Sequence, residues 1–140
     1  MSTVQPLAAT ETDPRVKAVF DDIRAVRGSD FINNFWLYLA FDPALLEDVW
    51  HSVRDTMIAP SALDQKTKEM IYIAVSVANA CQYCIHSHTA AAKAKGMTAS
   101  EHADLLRVIG LAARTNHLVN GLQVPVDAAF DMAASENGET

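Results

Sequence analysis

The stretch Glu69–His88, EMIYIAVSVANACQYCIHSH, decides how this chain is read. From Met70 to Ala80 it is apolar on nearly every helical face, with Ser76 and Asn79 as polar interruptions. It shows no strict alternation, so it predicts a helix and not a strand. A helix hydrophobic all round is expected to be central and buried. The run is too short to span a bilayer, which takes roughly 20 residues. A bend is expected near Asn79–Ala80, followed by a second helix from about Cys81 to Lys95 that Gly96 ends.

Outward from this hairpin the chain reads as helices separated by Gly and Pro. A first helix is expected from about Asp13 to Arg27, where Val16, Val19, Phe20 and Ile23 recur at helical spacing; Pro14 suits its first turn and Gly28 its end. Phe31 to Ala40 is short, aromatic and apolar. Asp42 is a plausible N-cap for a helix carrying Leu45, Leu46, Val49, Trp50, Val53 and Met57, with Pro43 at its first position and Pro60 beyond its end. Asp64 opens the helix that contains Glu69. Thr98-Ala99-Ser100-Glu101 is a capping box for a last long helix through Leu105, Leu106, Val108, Ile109, Leu111 and Ala112, running past Gly110 towards Asn120-Gly121. Residues 126–134 are weakly helical. The expected fold is all-α, a single domain over residues 1–140 with an arm at 1–12 and a solvated tail from about 135.

Composition removes several functional classes. Half of the 140 residues are hydrophobic and a fifth are charged, which excludes a disordered chain. Two cysteines are too few for a disulfide-stapled mini-protein. Seventeen acidic against eleven basic residues, net −6, disfavour nucleic acid and anionic membrane as partners, because both need Lys and Arg to neutralise phosphate. Met1-Ser2-Thr3-Val4-Gln5-Pro6 shows no basic region followed by an apolar core, so a cytoplasmic protein is expected. In that compartment a lone cysteine pair is more often catalytic or metal-binding than a structural staple.

The chemistry concentrates in Cys81, Cys84 and His88. On a helix these are i, i+3 and i+7, so they share one stripe, which continues through Ile85, Ala91 and Ala92 and therefore faces the core. The first turn of a helix favours a thiolate through its unpaired N–H groups and its dipole. The CxxC spacing lets the two sulfurs close a disulfide. His88 lies one turn beyond Cys84 and can exchange its proton. Glu69 is the only charged residue between Lys68 and Cys81. In a hairpin turning at residues 79–81 it comes level with His88 to within a few Å at ~1.5 Å rise per residue, where a carboxylate could orient the imidazole.

Each of these features has a plainer reading. The CxxC could be a zinc half-site or a pair of buried inert thiols. Glu69 could be a favourable acidic residue in an early helical turn. His86 points off the 81/84/88 stripe and reads as a surface or interface histidine, and His51, His102 and His117 sit singly on expected helices. Tyr72, Tyr83, Trp36 and Trp50 read as core or interface aromatics, with Tyr83 placed to shield the sulfurs.

Glu69, Cys81, Cys84 and His88 at this spacing resemble the signature of the AhpD-like alkyl hydroperoxidases of the carboxymuconolactone decarboxylase superfamily. Leu63-Asp64, Lys68-Glu69, Ala74-Val75-Ser76 and Gly96-Met97-Thr98 agree with it, strongly over about residues 60–110, and Pro43-Ala44-Leu45-Leu46 fits the preceding helix. The resemblance implies an AhpD-like helical domain whose central hairpin carries the cysteine motif, assembled as a homo-oligomer, trimer or hexamer. It implies that Cys84 is the peroxidatic nucleophile, Cys81 the resolving cysteine, and Glu69 and His88 a proton relay. Hydroperoxide would be the substrate, a thioredoxin- or lipoamide-type dithiol the reductant, and no cofactor or metal is expected. Peroxidase members carry a histidine where this chain has Tyr83. The lactone decarboxylases of the superfamily typically lack the cysteine pair, so a decarboxylase-like lyase is a lesser alternative, as is a general CxxC disulfide oxidoreductase.

Overall fold

The computed structural model describes residues 1–8 and 13–130. Its regular structure there is helical, with no strand among the described residues. The chain divides into two compact units, Met1–Asp64 and Gln65–Thr140.

In the first unit, α1 (Pro14–Arg27) begins at an Asp13 side chain that accepts from the N–H groups of Arg15 and Val16, at 2.9 and 3.3 Å. It ends at Gly28 with φ 62°, a left-handed conformation that glycine adopts without strain. After α2 (Asn34–Leu39), α3 (Pro43–Val53) is capped by Asp42, whose side chain accepts from Ala44 and Leu45. One π-helical turn, Arg54–Ile58, continues it. Val16, Val19, Phe20 and Ile23 of α1 form the core with Ile32, Trp36, Ala40, Leu46 and Trp50. Trp36 and Trp50 meet edge to face with centroids 5.4 Å apart, the geometry aromatic quadrupoles favour. The buried Trp50 indole N–H is satisfied by Asp22 at 2.7 Å, which also accepts from Arg54. Of the expected N-terminal arm, Leu7 is tied down by its N–H donating to Leu37 O, and residues 9–12 lie outside the described residues.

The second unit is α4 (Gln65–Ala78), α5 (Gln82–Ala94) and α6 (Ala99–Leu122). α4 and α5 form the expected hairpin, and its turn satisfies the backbone groups that end α4. Ala80 N–H donates to Val77 O and Cys81 N–H to Ser76 O, the paired bonds of a Schellman motif. The motif requires a left-handed residue, and Ala80 supplies it at φ 54°. The same motif closes α5, with Gly96 at φ 91° and Met97 N–H donating to Ala92 O. Met97 then packs with Ala92 and Ile73 in the small core of this unit. Thr98 and Glu101 cap α6 reciprocally, and α6 runs unbroken through Gly110 and Gly121. Beyond it, Ala128–Phe130 forms a short 3₁₀ turn inside the weakly helical segment, whose residues 131–134 lie outside the described residues, as does the expected tail.

One expectation is corrected. α4 is not buried on all sides: its buried residues are Lys68, Glu69, Ile73 and Ser76, while Ile71 and Val75 remain 48 % and 52 % exposed. α6 likewise has no buried residue, and Leu111, Leu118 and Leu122 face outward. An apolar sequence demands cover, but it does not say whether the same chain provides it.

Ala80 is a non-glycine residue where the turn favours glycine. Ala80→Gly is expected to leave stability unchanged or raise it by up to about 1 kcal/mol, and Ala80→Val to lower it by about 1–2 kcal/mol, since a β-branched side chain is a genuine outlier there. Urea unfolding of the three proteins measures the difference.

Candidate active site

The α4–α5 hairpin builds the site from its turn outward. Cys81 serves both helices. Its N–H closes α4, and it is the N-cap of α5, where its Sγ accepts from Cys84 N–H at 3.3 Å. Cys81 and Cys84 are joined as a disulfide across Cα atoms 5.4 Å apart. Both are half-buried, as is His88, so the shared stripe faces α4 without being sealed from solvent.

Glu69 lies on α4 at the level of His88, as the hairpin arithmetic requires. Only 4 % of it is exposed, and each carboxylate oxygen has a partner from α5. Oε2 is 2.6 Å from His88 Nδ1, and Oε1 accepts from Lys95 Nζ at 2.5 Å. Burial alone pushes the carboxyl up, because desolvation disfavours the charged form. The hydrogen bonds from His88 and Lys95, with the Lys95 charge, reverse this and hold Glu69 below the ordinary carboxylate range. An ionised carboxylate can only accept. The His88 proton on this side is therefore assigned to Nδ1, and Nε2 is the nitrogen available for proton exchange.

Two residues complete the arrangement without having been singled out for it. Tyr72, three residues after Glu69 on the same face of α4, stacks on the His88 ring with centroids 3.6 Å apart and planes at 20°. Lys95 lies seven residues after His88 and so continues the Cys81/Cys84/His88 stripe. That spacing is the signal that could have found it; a lysine in the last turn of a helix reads by default as a partner of the helix dipole. Tyr83 and His86 are exposed, His51 lies on α3 of the first unit, and His102 and His117 lie on α6. Among the described residues no group of three or more His, Cys, Asp or Glu could hold a metal ion. No helix among them is long and apolar enough to cross a membrane.

A helical hairpin with a CxxC disulfide at its turn and a Glu–His pair behind it defines an AhpD-like helical protein. The chain belongs to the carboxymuconolactone decarboxylase family, which its residues 44–127 match. It is similar to the alkylhydroperoxidase AhpD core from Rhodospirillum rubrum. The two are 61 % identical over 93 % of this chain and 97 % of that one, and superpose with a TM-score of 0.91. It also resembles an uncharacterized protein, number 4 in the cox locus of Paracoccus denitrificans, at 33 % identity over 55 residues. That match covers 39 % of this chain and spans about half the length of the relative, 50 %.

The depressed Glu69 carboxyl makes stability depend on pH with a definite sign. Its contribution is fully present above the unfolded carboxylate value of about 4.3 and is lost as pH falls through the lower folded value. The urea midpoint of the native protein is therefore expected to fall more steeply than that of Glu69→Gln as pH is lowered from 6 to 3.

Proposed function

We propose that this protein is a thiol-dependent hydroperoxidase that reduces hydroperoxides through a Cys84 sulfenate and a Cys81–Cys84 disulfide. The observation that carries the reading is one hairpin bearing both a closed CxxC pair and a His88–Glu69 hydrogen bond of 2.6 Å. The likeness to an alkylhydroperoxidase AhpD core at 61 % identity supports it.

His88 Nε2 takes the Cys84 proton, and the resulting thiolate attacks the peroxide. An S–O bond forms, the O–O bond breaks, and the leaving alkoxide recovers the proton from the imidazolium as alcohol. Cys81 then attacks the sulfenic sulfur. The S–S bond forms, the S–O bond breaks and water leaves, which keeps Cys84 from irreversible oxidation. A dithiol of the thioredoxin or lipoamide type returns two electrons and two protons through a mixed disulfide. Glu69 orients His88 and stabilises its charged form. A cytoplasmic setting, where dithiol reductants are maintained, suits this cycle.

Peroxide consumption with a panel of dithiols is expected to fall to background in Cys84→Ser. Cys81→Ser is expected to oxidise once per chain and then stop turning over. Full turnover by Cys84→Ser would remove the assignment. The Cys81 sulfur at the α5 N-cap also suits a general disulfide oxidoreductase, since the helix N-terminus stabilises a leaving thiolate. That activity is the answer if stoichiometric peroxide, without a disulfide donor, fails to oxidise the pair.

The functional form is proposed to be a homo-oligomer, trimer or hexamer. Exposed Ile71 and Val75 on α4 and Leu111, Leu118 and Leu122 on α6 support it, because such apolar faces on a soluble chain mark contact surfaces. Light scattering behind size exclusion is expected to give a multiple of the monomer mass, and Val75→Lys to shift the population towards monomer. A native protein that is monomeric at micromolar concentration refutes the assembly.

A further inference from the structure

Glu69 is held from two sides, and the thiol cycle above uses only one of them. His88 approaches Oε2 and Lys95 approaches Oε1, both from α5. Lys95 stands at the C-cap of that helix, where a lysine ordinarily extends into water beside the last carbonyls. Its side chain is instead 26 % exposed and reaches a carboxylate that is 5 % exposed. α4 is also tied to α6 by an ion pair of Lys66 with Glu101 at 2.8 Å. Tyr72 contributes an uncharged ring to the other side of His88.

We propose that Lys95 is a positioning residue: its ammonium on Glu69 Oε1 holds His88 as the Nδ1–H imidazole, the one form whose Nε2 lone pair can accept a thiol proton. The use of that lone pair rests on the hydroperoxidase reading; the selection of the form does not.

A buried Glu–His pair has three arrangements of its protons. In the ion pair, carboxylate with imidazolium, both ring nitrogens carry hydrogen and no base remains. In the neutral pair, the carboxylic acid donates to Nδ1, so the ring hydrogen sits on Nε2 and again no base faces outward. Only carboxylate with Nδ1–H imidazole leaves Nε2 free. This form has released one proton to solvent relative to the other two, so the pair carries a net negative charge, and standing alone it would bury that charge uncompensated. A cation on the second oxygen compensates that charge without drawing on His88. The pair then no longer needs an imidazolium to keep Glu69 ionised, nor a protonated Glu69 to avoid its burial. Lys95 does this from the far end of α5, about two turns beyond His88, with its ammonium on the carboxylate and not on the ring.

The test reads the His88 ring directly. Long-range proton–nitrogen correlation on the full-length, ¹⁵N-labelled, disulfide form at pH 7.5, assigned with His88→Gln, is expected to show one unprotonated nitrogen, Nε2, in the native protein. Lys95→Met and Lys95→Gln are expected to lose that signal in favour of the imidazolium or the Nε2–H form. Lys95→Gln separates charge from hydrogen bonding and provides a second variant should Lys95→Met fold poorly. Lys95→Arg, which keeps the charge, is expected to restore the native pattern. Persistence of the Nδ1–H form in Lys95→Gln overturns the proposal, as does its loss in Lys95→Arg with the helical circular dichroism unchanged. No peroxide enters the measurement, so a protein inactive towards hydroperoxides would refute the function above without deciding this point.

Discussion

The buried Glu69 carboxylate is the constraint on which the second half of the molecule depends. A carboxylate taken out of water is unfavourable unless every lone pair is met, and removing one partner of such a group costs several kcal/mol. Here α5 meets both oxygens, with His88 in its second turn and Lys95 at its end. The two bonds are spaced along the helix axis, so together they fix how far α5 sits along α4 as well as holding them together. The thin apolar core of this unit, Ile73, Ala92 and Met97, could not impose that register by itself, because apolar contact is non-directional.

The turn between the helices turns this register into chemistry. The Schellman motif that ends α4 delivers Cys81 directly to the N-cap of α5, so one residue closes one helix and opens the next. Its sulfur is then held at the helix N-terminus within reach of Cys84. Any lengthening of the turn would shift His88, and the cysteines with it, off the level of Glu69. The tightness is achieved with an alanine at φ 54°, a small local strain of the kind found where the surrounding structure dictates the backbone.

Outside this hairpin the chain follows ordinary rules. Asp13, Asp42 and the Thr98–Glu101 box cap their helices as their residue types require, and the Trp36–Trp50 contact anchors the first unit. The apolar faces of α4 and α6 are the departure, with hydrophobic side chains outward on two of the three helices of the second unit. The proportions of polar and apolar residues in one chain do not encode which of its apolar faces that chain covers.

What the sequence determined by itself was everything governed by local rules. Caps, glycine ends, helical spacing and the 81/84/88 stripe are read within a few turns of one helix, and each lies where its pattern put it. The level of Glu69 with His88 also followed, because a hairpin with a short turn has only one arithmetic. What only the tertiary structure decided was the identity of the partners across the helix pair. Tyr72 read as a core or interface aromatic and Lys95 only as the end of a helix, since the spacing that puts Lys95 on the His88 stripe does not by itself distinguish a lysine in water from one drawn to a buried carboxylate. The difference arises from desolvation, which exists only after α4 and α5 have packed and left Glu69 with no water to satisfy it.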